Sequence, residues 1–228
     1  MGLTIHYQLT LSHAGGGVDD LQVRSAAQAL RRLALQFKRK GRLDAIGKLG
    51  FAPEDRRYAV EWQMRRVPGH ASTFTGKEIH PVAGHLFQAG VGRGCEPLLL
   101  GLCRYERGGW RLESFSKTQY ASLHGWEHFC RCHTAIIDLL AGAQELGFTV
   151  KISDEGDYWP RRSLKALRRN IDEMNGVVAA AAGTLKDWGE ERGEEPVQAP
   201  IFSHPQFERL EAEGAAHGHG ERLREALR

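Results

Sequence analysis

Three carboxylates stand close together in the middle of the chain. Asp154, Glu155 and Asp157 follow an alternating run, 148–154, whose pattern predicts a strand. Carboxylates at the end of a strand can bind a divalent cation or act as general acid and base. Turn chemistry explains the same residues without a function, since Asp–Gly pairs and aspartates before a helix are common in turns. The sequence leaves both interpretations open.

The direction of the first carboxylate can also be predicted. Asp154 continues the parity of the apolar residues in 148–154, so a regular strand would direct it towards the core. A buried carboxylate needs a partner, because an unpaired buried charge is costly. Lys117, Arg161 and Arg162 are the partners that the sequence suggests.

Two histidines four residues apart form the second group that could do chemistry. His124 and His128 would share one face of a helix, and Asp154 could complete a metal site with them. The prediction is a divalent-metal site, with His124 also a candidate catalytic group beside the three carboxylates. Cys130 and His133 follow closely, but helical periodicity places them on the apolar face. We interpret these two as core residues.

A polar segment over 116–120 precedes this helix. Lys117 could neutralise an anion, Gln119 could form directional hydrogen bonds with it, and Tyr120 could provide a wall. The residues that follow the carboxylates supply similar groups. The predicted ligand-binding residues are Lys117, Gln119, Tyr120, Tyr158, Trp159, Arg161 and Arg162.

A strand, a long helix and a second strand position these two polar segments. The pattern predicts a strand over 110–119, a helix over 123–146 and a strand over 148–154. A helix of about 24 residues is roughly 36 Å long, so it can return the chain along the sheet. We therefore expect parallel strands whose carboxyl ends open at the same edge, where ligand crevices form. The polar strand over 110–119 is typical of a sheet edge or of a cleft lining.

The rest of the chain indicates an α+β fold. We predict a two-layer sandwich with a mixed sheet of about six or seven strands, three helices mainly on one face and one βαβ crossover. Apolar and polar residues alternate over 3–11, which predicts a strand packed on one side only. Further strands are predicted over 43–49, 58–64, 82–91 and 98–105, and further helices over 19–40 and 160–189.

Charge separates the body of the chain from its end. Residues 189–228 contain nine acidic and five basic residues, a net charge of −4, whereas the 26 basic and 19 acidic residues before them give +7. We predict a single α+β domain over 1–188, followed over 189–228 by an acidic linker and a short helical appendage. The basic body fits a phosphate-bearing partner, and the tail fits a protein partner.

Composition bounds the class of protein. A chain of 228 residues with 41% hydrophobic and 26% charged residues is ordinary for a globular protein with a real core. No apolar run approaches the roughly 18 residues that span a bilayer, and the N-terminus lacks a signal-peptide pattern. These features predict a cytoplasmic protein without membrane contact, and its four cysteines predict reduced core thiols.

The predicted function is an intracellular ligand-binding or interaction module. Its polar crevice would take an anionic ligand, such as a nucleotide or a nucleic-acid phosphate. One alternative is a metal-assisted phosphoester hydrolase, in which the carboxylates and His124 act together. The other is a non-catalytic subunit of a larger assembly. The sequence does not decide whether the protein is an enzyme: the segment 69–77, for example, has the wrong spacing for a P-loop.

Overall fold

The computed structural model describes residues 3–11, 17–52, 63–65, 73–75, 79–107 and 109–226. These residues form an α+β fold, which confirms the predicted class. The strands are β1 (Thr4–Leu11), β2 (Ala45–Ile46), β3 (Gln63–Arg65), β4 (Thr73–Thr75), β5 (Ala83–Gly90), β6 (Leu98–Arg104), β7 (Trp110–Lys117) and β8 (Phe148–Asp154). The helices are α1 (Asp20–Arg39), α2 (Trp126–Glu145), α3 (Leu164–Glu191), α4 (Phe207–Ala216) and α5 (His219–Ala226), with 3-10 helices at Gln119–His124 and Pro200–Ser203.

Six strands form one open sheet in the order β2-β5-β6-β7-β1-β8. Every neighbouring pair is antiparallel, so the prediction of a mixed sheet is wrong. The reason is β1, which lies between β7 and β8 and pairs antiparallel with both. β7 and β8 therefore run in the same direction without touching, and α2 connects them. β3 and β4 pair separately as a two-stranded ribbon.

Along β1 the sheet has a packed face and an open face. Along the first strand Ile5, Tyr7 and Leu9 are buried, whereas His6 between them is exposed. This is the alternation expected of a sheet covered on one side. α1 and α2 pack on the covered face and share one core with the strands. α3 does not lie on the sheet in the same way, because it packs mainly on α4. The prediction of three helices on one face is thus too simple.

β6 and β7 both lie inside the sheet. Residues 98–103 of β6 are all buried, as expected of a central strand that is apolar on both faces. β7 is flanked by β6 and β1, so its polar character does not come from an edge position. Its serines instead bond to protein groups: Ser114 bonds to the Tyr7 hydroxyl, and Ser116 Oγ donates to the Glu96 carbonyl at 3.0 Å.

Capping residues explain where the helices begin. Asp19 and Gln22 form a capping box, with hydrogen bonds of 2.8 and 3.0 Å, and start α1 as predicted. α2 begins later than predicted, because a 3-10 helix comes first and Gly125, at φ 93°, separates the two. α3 also begins later than Pro160, because the hydroxyl of Ser163 caps its first turn.

The C-terminal residues 200–226 pack along the second half of α3. Small residues let the helices approach closely: a Cβ added to Gly214 of α4 would lie 2.2 Å from the carbonyl oxygen of Gly176. Leu210 and Ile201 are buried there in a second, smaller core. The segment predicted as an appendage therefore docks on α3.

Part of the sequence prediction lies outside the described residues. The strand predicted over 58–64 is described only at its end, where β3 begins at Gln63. In the ranges that the structure does describe, no helix combines the length and the apolar character that crossing a membrane requires.

Candidate functional site

The polar segments that follow β7 and β8, here called the two junctions, meet at the start of β1. The backbone N–H of Thr118 donates to the Leu3 carbonyl at 3.0 Å, and that of Glu155 donates to the Thr4 carbonyl at 3.1 Å. In return, the Leu3 N–H donates to Gln119 Oε1 at 3.2 Å, and the Thr4 N–H donates to Glu155 Oε2 at 2.8 Å. The predicted crevice between the junctions is therefore filled by the backbone of β1, and Gln119 and Glu155 hold that strand.

Lys117 and Asp154 lie on opposite faces of the sheet. Both flank the start of β1, since Lys117 is opposite Thr4 and Asp154 is opposite Ile5. Side chains alternate along β7, and the neighbouring Ser116 is buried, so Lys117 faces the other side. Asp154 shares the buried parity of Ile5. A small ligand approaching one face cannot contact both charges.

Asp154 is directed towards the core, and its partner is a histidine. Its side chain is fully buried, with Oδ1 3.0 Å from Nε2 of His133. Backbone N–H groups of Gly156, Tyr158 and Trp159 donate to the same carboxylate at 2.8 to 2.9 Å. Burial raises the pKa of Asp154, but the contact with His133 and the N–H donors of Trp159 and Gly156 outweigh burial and hold the pKa below its ordinary value. Asp154 is thus an ionised group that fixes the turn after β8.

His133 joins three elements of the fold. Its Nδ1 forms a hydrogen bond of 2.9 Å with Thr118 Oγ1, at the end of β7. Its Nε2 lies 3.0 Å from Asp154 Oδ1, but the alignment of the two groups is outside hydrogen-bond geometry. The order Thr118, His133, Asp154 matches a nucleophile, base and acid, but both Thr118 and His133 are fully buried. Without solvent access the trio is a structural contact.

The other charged residues that follow β8 lie in different surroundings from Asp154. Glu155 lies beside His6, with 3.6 Å between Oε1 and Nε2. Asp157, at φ 55°, is exposed, as is Arg161. Asp154 is buried away from them. The structure therefore does not bring the three predicted catalytic carboxylates together around one reacting atom.

Arg162 forms its contacts within the protein. Its guanidinium forms an ion pair with Asp138 of α2 and lies 5.4 Å from the ring centre of Tyr158 and 5.1 Å from that of Trp159. Arg42 also binds Asp138, at 2.8 Å. The two aromatic residues predicted as ligand walls thus cover an arginine that holds the junction against α2.

The predicted metal ligands are not assembled either. The rings of His124 and His128 lie 5.4 Å apart, and Nε2 of His128 is 2.8 Å from the Arg93 carbonyl oxygen. Asp154 is engaged with His133. Among the residues that the structure describes, no three His, Cys, Asp or Glu side chains are grouped so that they could hold a metal ion.

A polar network lies beneath the 3-10 helix that contains Tyr120. The buried Asn175 of α3 accepts a hydrogen bond from Gln119 Nε2 at 3.3 Å and donates one to Ser122 Oγ at 3.1 Å. The Ser122 hydroxyl donates to the Gln119 carbonyl at 2.7 Å. These contacts fix Ser122 and Asn175 at the floor of a cavity that the sequence did not predict. An asparagine within the apolar stripe of α3 was the available signal.

This cavity, which we call the α2–α3 cavity, has a volume of about 210 Å³. It lies between the start of α2, the first half of α3 and the segment that leads into α4. Its wall is apolar and aromatic on one side and polar on the other. The lining residues are Ser122, Gly125, Trp126, Phe129, Arg168, Ile171, Asp172, Asn175, His204, Pro205, Gln206 and Leu210.

Arg168 gives the α2–α3 cavity a cationic group. Its Nε donates to Asp172 at 2.9 Å, and the guanidinium lies 4.8 Å from the ring centre of Trp126. The two Nη groups bond to no residue that the structure describes. Burial and then the charge of Arg209 lower the pKa of His204, although Asp172 opposes this shift, so the imidazole is neutral at pH 7.

Comparison of the chain with protein-family models, with curated proteins and with solved structures finds no match. The function of the chain is therefore inferred from the geometry of its own residues. Among the sites described above, the α2–α3 cavity is the one that combines an apolar wall with polar groups available to a ligand.

Proposed function

We propose that the protein is a binding module for a small anionic ligand, which it takes up in the α2–α3 cavity. The observation that carries this proposal is one cavity that joins an aromatic wall to fixed polar groups and an arginine. Ligand sites combine an apolar lining with a few convergent polar groups in this way. The proposed ligand is anionic, as the sequence predicted. The α2–α3 cavity, however, is not the crevice that the sequence predicted.

The size and walls of the cavity favour a particular class of anion. A volume of about 210 Å³ lies below the roughly 300 Å³ at which sites for drug-sized ligands begin, so a nucleotide is too large to be enclosed. Trp126 and Phe129 offer a surface for one planar ring. The ligand class that fits is an aromatic carboxylate, with its ring on these residues.

The carboxylate would bind at the opposite side of the cavity. The Nη groups of Arg168 form a fork that matches a carboxylate, and such charge-assisted hydrogen bonds are the strong ones. Gly125 precedes the first turn of α2 and provides no side-chain cap. The backbone N–H groups of that turn therefore add a positive electrostatic potential that favours an anion. Ser122 and Asn175 then provide fixed hydrogen-bonding groups.

Calorimetric titration with benzoate tests the proposal. Arg168→Gln removes the charge and the fork, and a hydrogen bond to a charged group contributes about 1.5–3 kcal/mol, so we expect benzoate affinity to fall at least about tenfold. Arg169→Gln is the matched control, because Arg169 is the next residue of α3, does not line the cavity, and bonds through Nε to Asn170. This control should bind benzoate as the unchanged protein does.

Two results would contradict the proposal. One is no heat of binding for benzoate, inorganic phosphate or adenosine monophosphate at millimolar concentrations. The other is an equal loss in both arginine variants, which would indicate diffuse charge attraction rather than a site. Tighter binding of adenosine monophosphate than of benzoate would instead favour the nucleotide ligand predicted from the sequence.

The other predicted functions have no comparable observation in their favour. Metal-assisted phosphoester hydrolysis needs its carboxylates and His124 around one metal, and the described residues do not form such a group. Binding of a nucleic-acid phosphate or of a protein partner through the acidic tail stays a prediction from charge.

A further inference from the structure

A second cavity lies among the three C-terminal helices α3, α4 and α5, and we call it the α3–α5 cavity. Its volume is about 630 Å³, which falls within the roughly 300–1,000 Å³ of cavities that enclose a ligand. It shares no lining residue with the α2–α3 cavity. The two cavities can therefore be considered as separate sites.

The charged residues that line the α3–α5 cavity are all acidic within the described part of the chain. Each helix contributes at least one carboxylate: Asp187 from α3, Glu208 and Glu211 from α4, and Glu221 from α5. No described arginine, lysine or histidine lines the cavity with them. Because like charges repel, a cation placed between these carboxylates is favoured.

Two glycines determine where the polar lining groups lie. A Cβ added to Gly183 would overlap Oε1 of Glu211, so this carboxylate of α4 lies directly against the backbone of α3. A Cβ added to Gly220 would lie 2.7 Å from Oγ1 of Thr184, so the start of α5 approaches that hydroxyl closely. The packing of the three helices thus places Glu211 and Thr184 at the wall of one cavity.

Thr184 supplies an observation that is independent of the acidic residues. It is buried, with 5% of the residue exposed, and it lines the cavity. Thr134 of α2 shows the usual arrangement in a helix, because its hydroxyl donates to the Cys130 carbonyl one turn earlier at 2.8 Å. The Thr184 hydroxyl forms no hydrogen bond with any residue that the structure describes. A buried polar group without a partner is costly, so this hydroxyl points to a group that enters the cavity.

The rest of the lining indicates the shape of the cation. Methyl groups of Ala180, Ala212, Ala215 and Ala216 form an aliphatic surface, and no aromatic ring of the described residues joins them. The described carboxylates are also not grouped closely enough to hold a metal ion. A flexible cation with separated charges on an aliphatic chain fits these walls better than a planar or a compact one.

We propose that the α3–α5 cavity binds a linear polyamine. An ammonium group has three donors and no acceptor, so it needs acceptors such as the Glu211 carboxylate and the Thr184 hydroxyl. Charge-assisted hydrogen bonds of this kind are the strong ones. The methylene segments between the ammonium groups pack on the alanine methyl groups, and the other carboxylates neutralise the remaining positive charge.

Calorimetric titration of the full chain with spermidine tests the proposal, and we expect saturable binding of one spermidine per chain. Glu211→Gln keeps the size of the side chain but removes its charge, so we expect the affinity to fall at least about fivefold. Glu213→Gln is the matched control, because it makes the same change in net charge on the same helix. Glu213 does not line the cavity and pairs with Arg209 at 2.6 Å, so this variant should bind spermidine as the unchanged protein does.

Thr184→Val tests the hydroxyl separately. Valine replaces the hydroxyl by a methyl group of similar size, and we expect spermidine affinity to fall about threefold. The melting temperature without spermidine should not fall, because the hydroxyl has no partner to lose among the described residues. A threonine with only a structural role would show the opposite result, a lower melting temperature with unchanged affinity, and that result would contradict the proposal.

Three further results would overturn the proposal. The first is no heat of binding for spermidine at millimolar concentrations. The second is complete displacement of spermidine by an equal concentration of Mg²⁺, which would indicate a site for any cation. Both are measured on the unchanged protein and decide the matter even if a variant fails to fold. The third is an equal loss of affinity in Glu211→Gln and Glu213→Gln, which would indicate diffuse attraction to an acidic surface.

Discussion

The inner and outer histidines beside α2 show how the same residue type takes opposite roles. His133 is fully buried, and both of its ring nitrogens lie within 3.0 Å of partners, Thr118 and Asp154. His124 is exposed and contacts the ring of His128. The outer pair has the spacing of a metal site, whereas the inner histidine is buried and contacts the residues at the ends of two strands. Burial, not residue spacing, separates the two roles.

The largest effect should come from the carboxylate that pairs with the inner histidine. Asp154→Asn removes a buried charge that accepts three backbone hydrogen bonds and contacts His133, so we expect the free energy of unfolding to fall by about 3 kcal/mol. Asp157→Asn is the matched control, because Asp157 is exposed and asparagine tolerates its positive φ. Urea unfolding followed by circular dichroism measures both. Equal losses in the two variants would contradict the structural role of Asp154.

Space around His133 gives the second test of the inner site. Gly156→Ala would place a methyl group 2.6 Å from Leu167 Cδ1 and 2.9 Å from two atoms of the His133 ring. Overpacking of this kind costs about 1–3 kcal/mol, and we expect about 2 kcal/mol in urea unfolding. Gly17→Ala is the control, since its added methyl group meets nothing within 4 Å. A variant at Gly156 as stable as the control would show that the ring has room to move.

The inner site also shows what the sequence could and could not predict. The parity of 148–154 correctly directed Asp154 towards the core, because period-two alternation is local. Its partner was predicted to be Lys117, Arg161 or Arg162, and is His133 instead. That pairing depends on where α2 crosses the sheet, which no local pattern encodes.

The same limit applies to the sheet and to the cavity. The alternation over 3–11 predicted β1 and the pattern over 19–40 predicted α1, since each signal lies within the element itself. The insertion of β1 between β7 and β8 joins residues more than 100 positions apart in sequence, for example Thr4 and Lys117. The α2–α3 cavity likewise draws Ser122, Asn175 and His204 from three distant segments. Apart from Asn175, which interrupts the apolar stripe of α3, these residues carry no local sequence pattern.

The pH dependence of stability offers a third comparison. The pKa of Asp154 is lower in the folded chain than its ordinary value of 3.8, so its contribution is complete above about that pH and is lost as the pH falls through the folded pKa. We expect the stability difference between the unchanged protein and Asp154→Asn to shrink as the pH is lowered below 3.8. Urea unfolding at a series of pH values measures it. A difference that stays constant would show that Asp154 is not ionised in the folded protein.

The smallest effect should come from the outer histidine. His124→Ala removes an exposed side chain whose ring contacts only that of His128 among the described residues, so we expect the free energy of unfolding to change by less than about 0.5 kcal/mol. His133→Ala is the matched comparison from the inner site and should cost several times more, because it leaves the Asp154 carboxylate buried without its partner. Urea unfolding of the two variants side by side gives the ratio. If His124→Ala destabilised the protein as strongly as His133→Ala, burial would not determine the role of the histidine, and the outer pair would hold a structural contact that its exposure does not suggest.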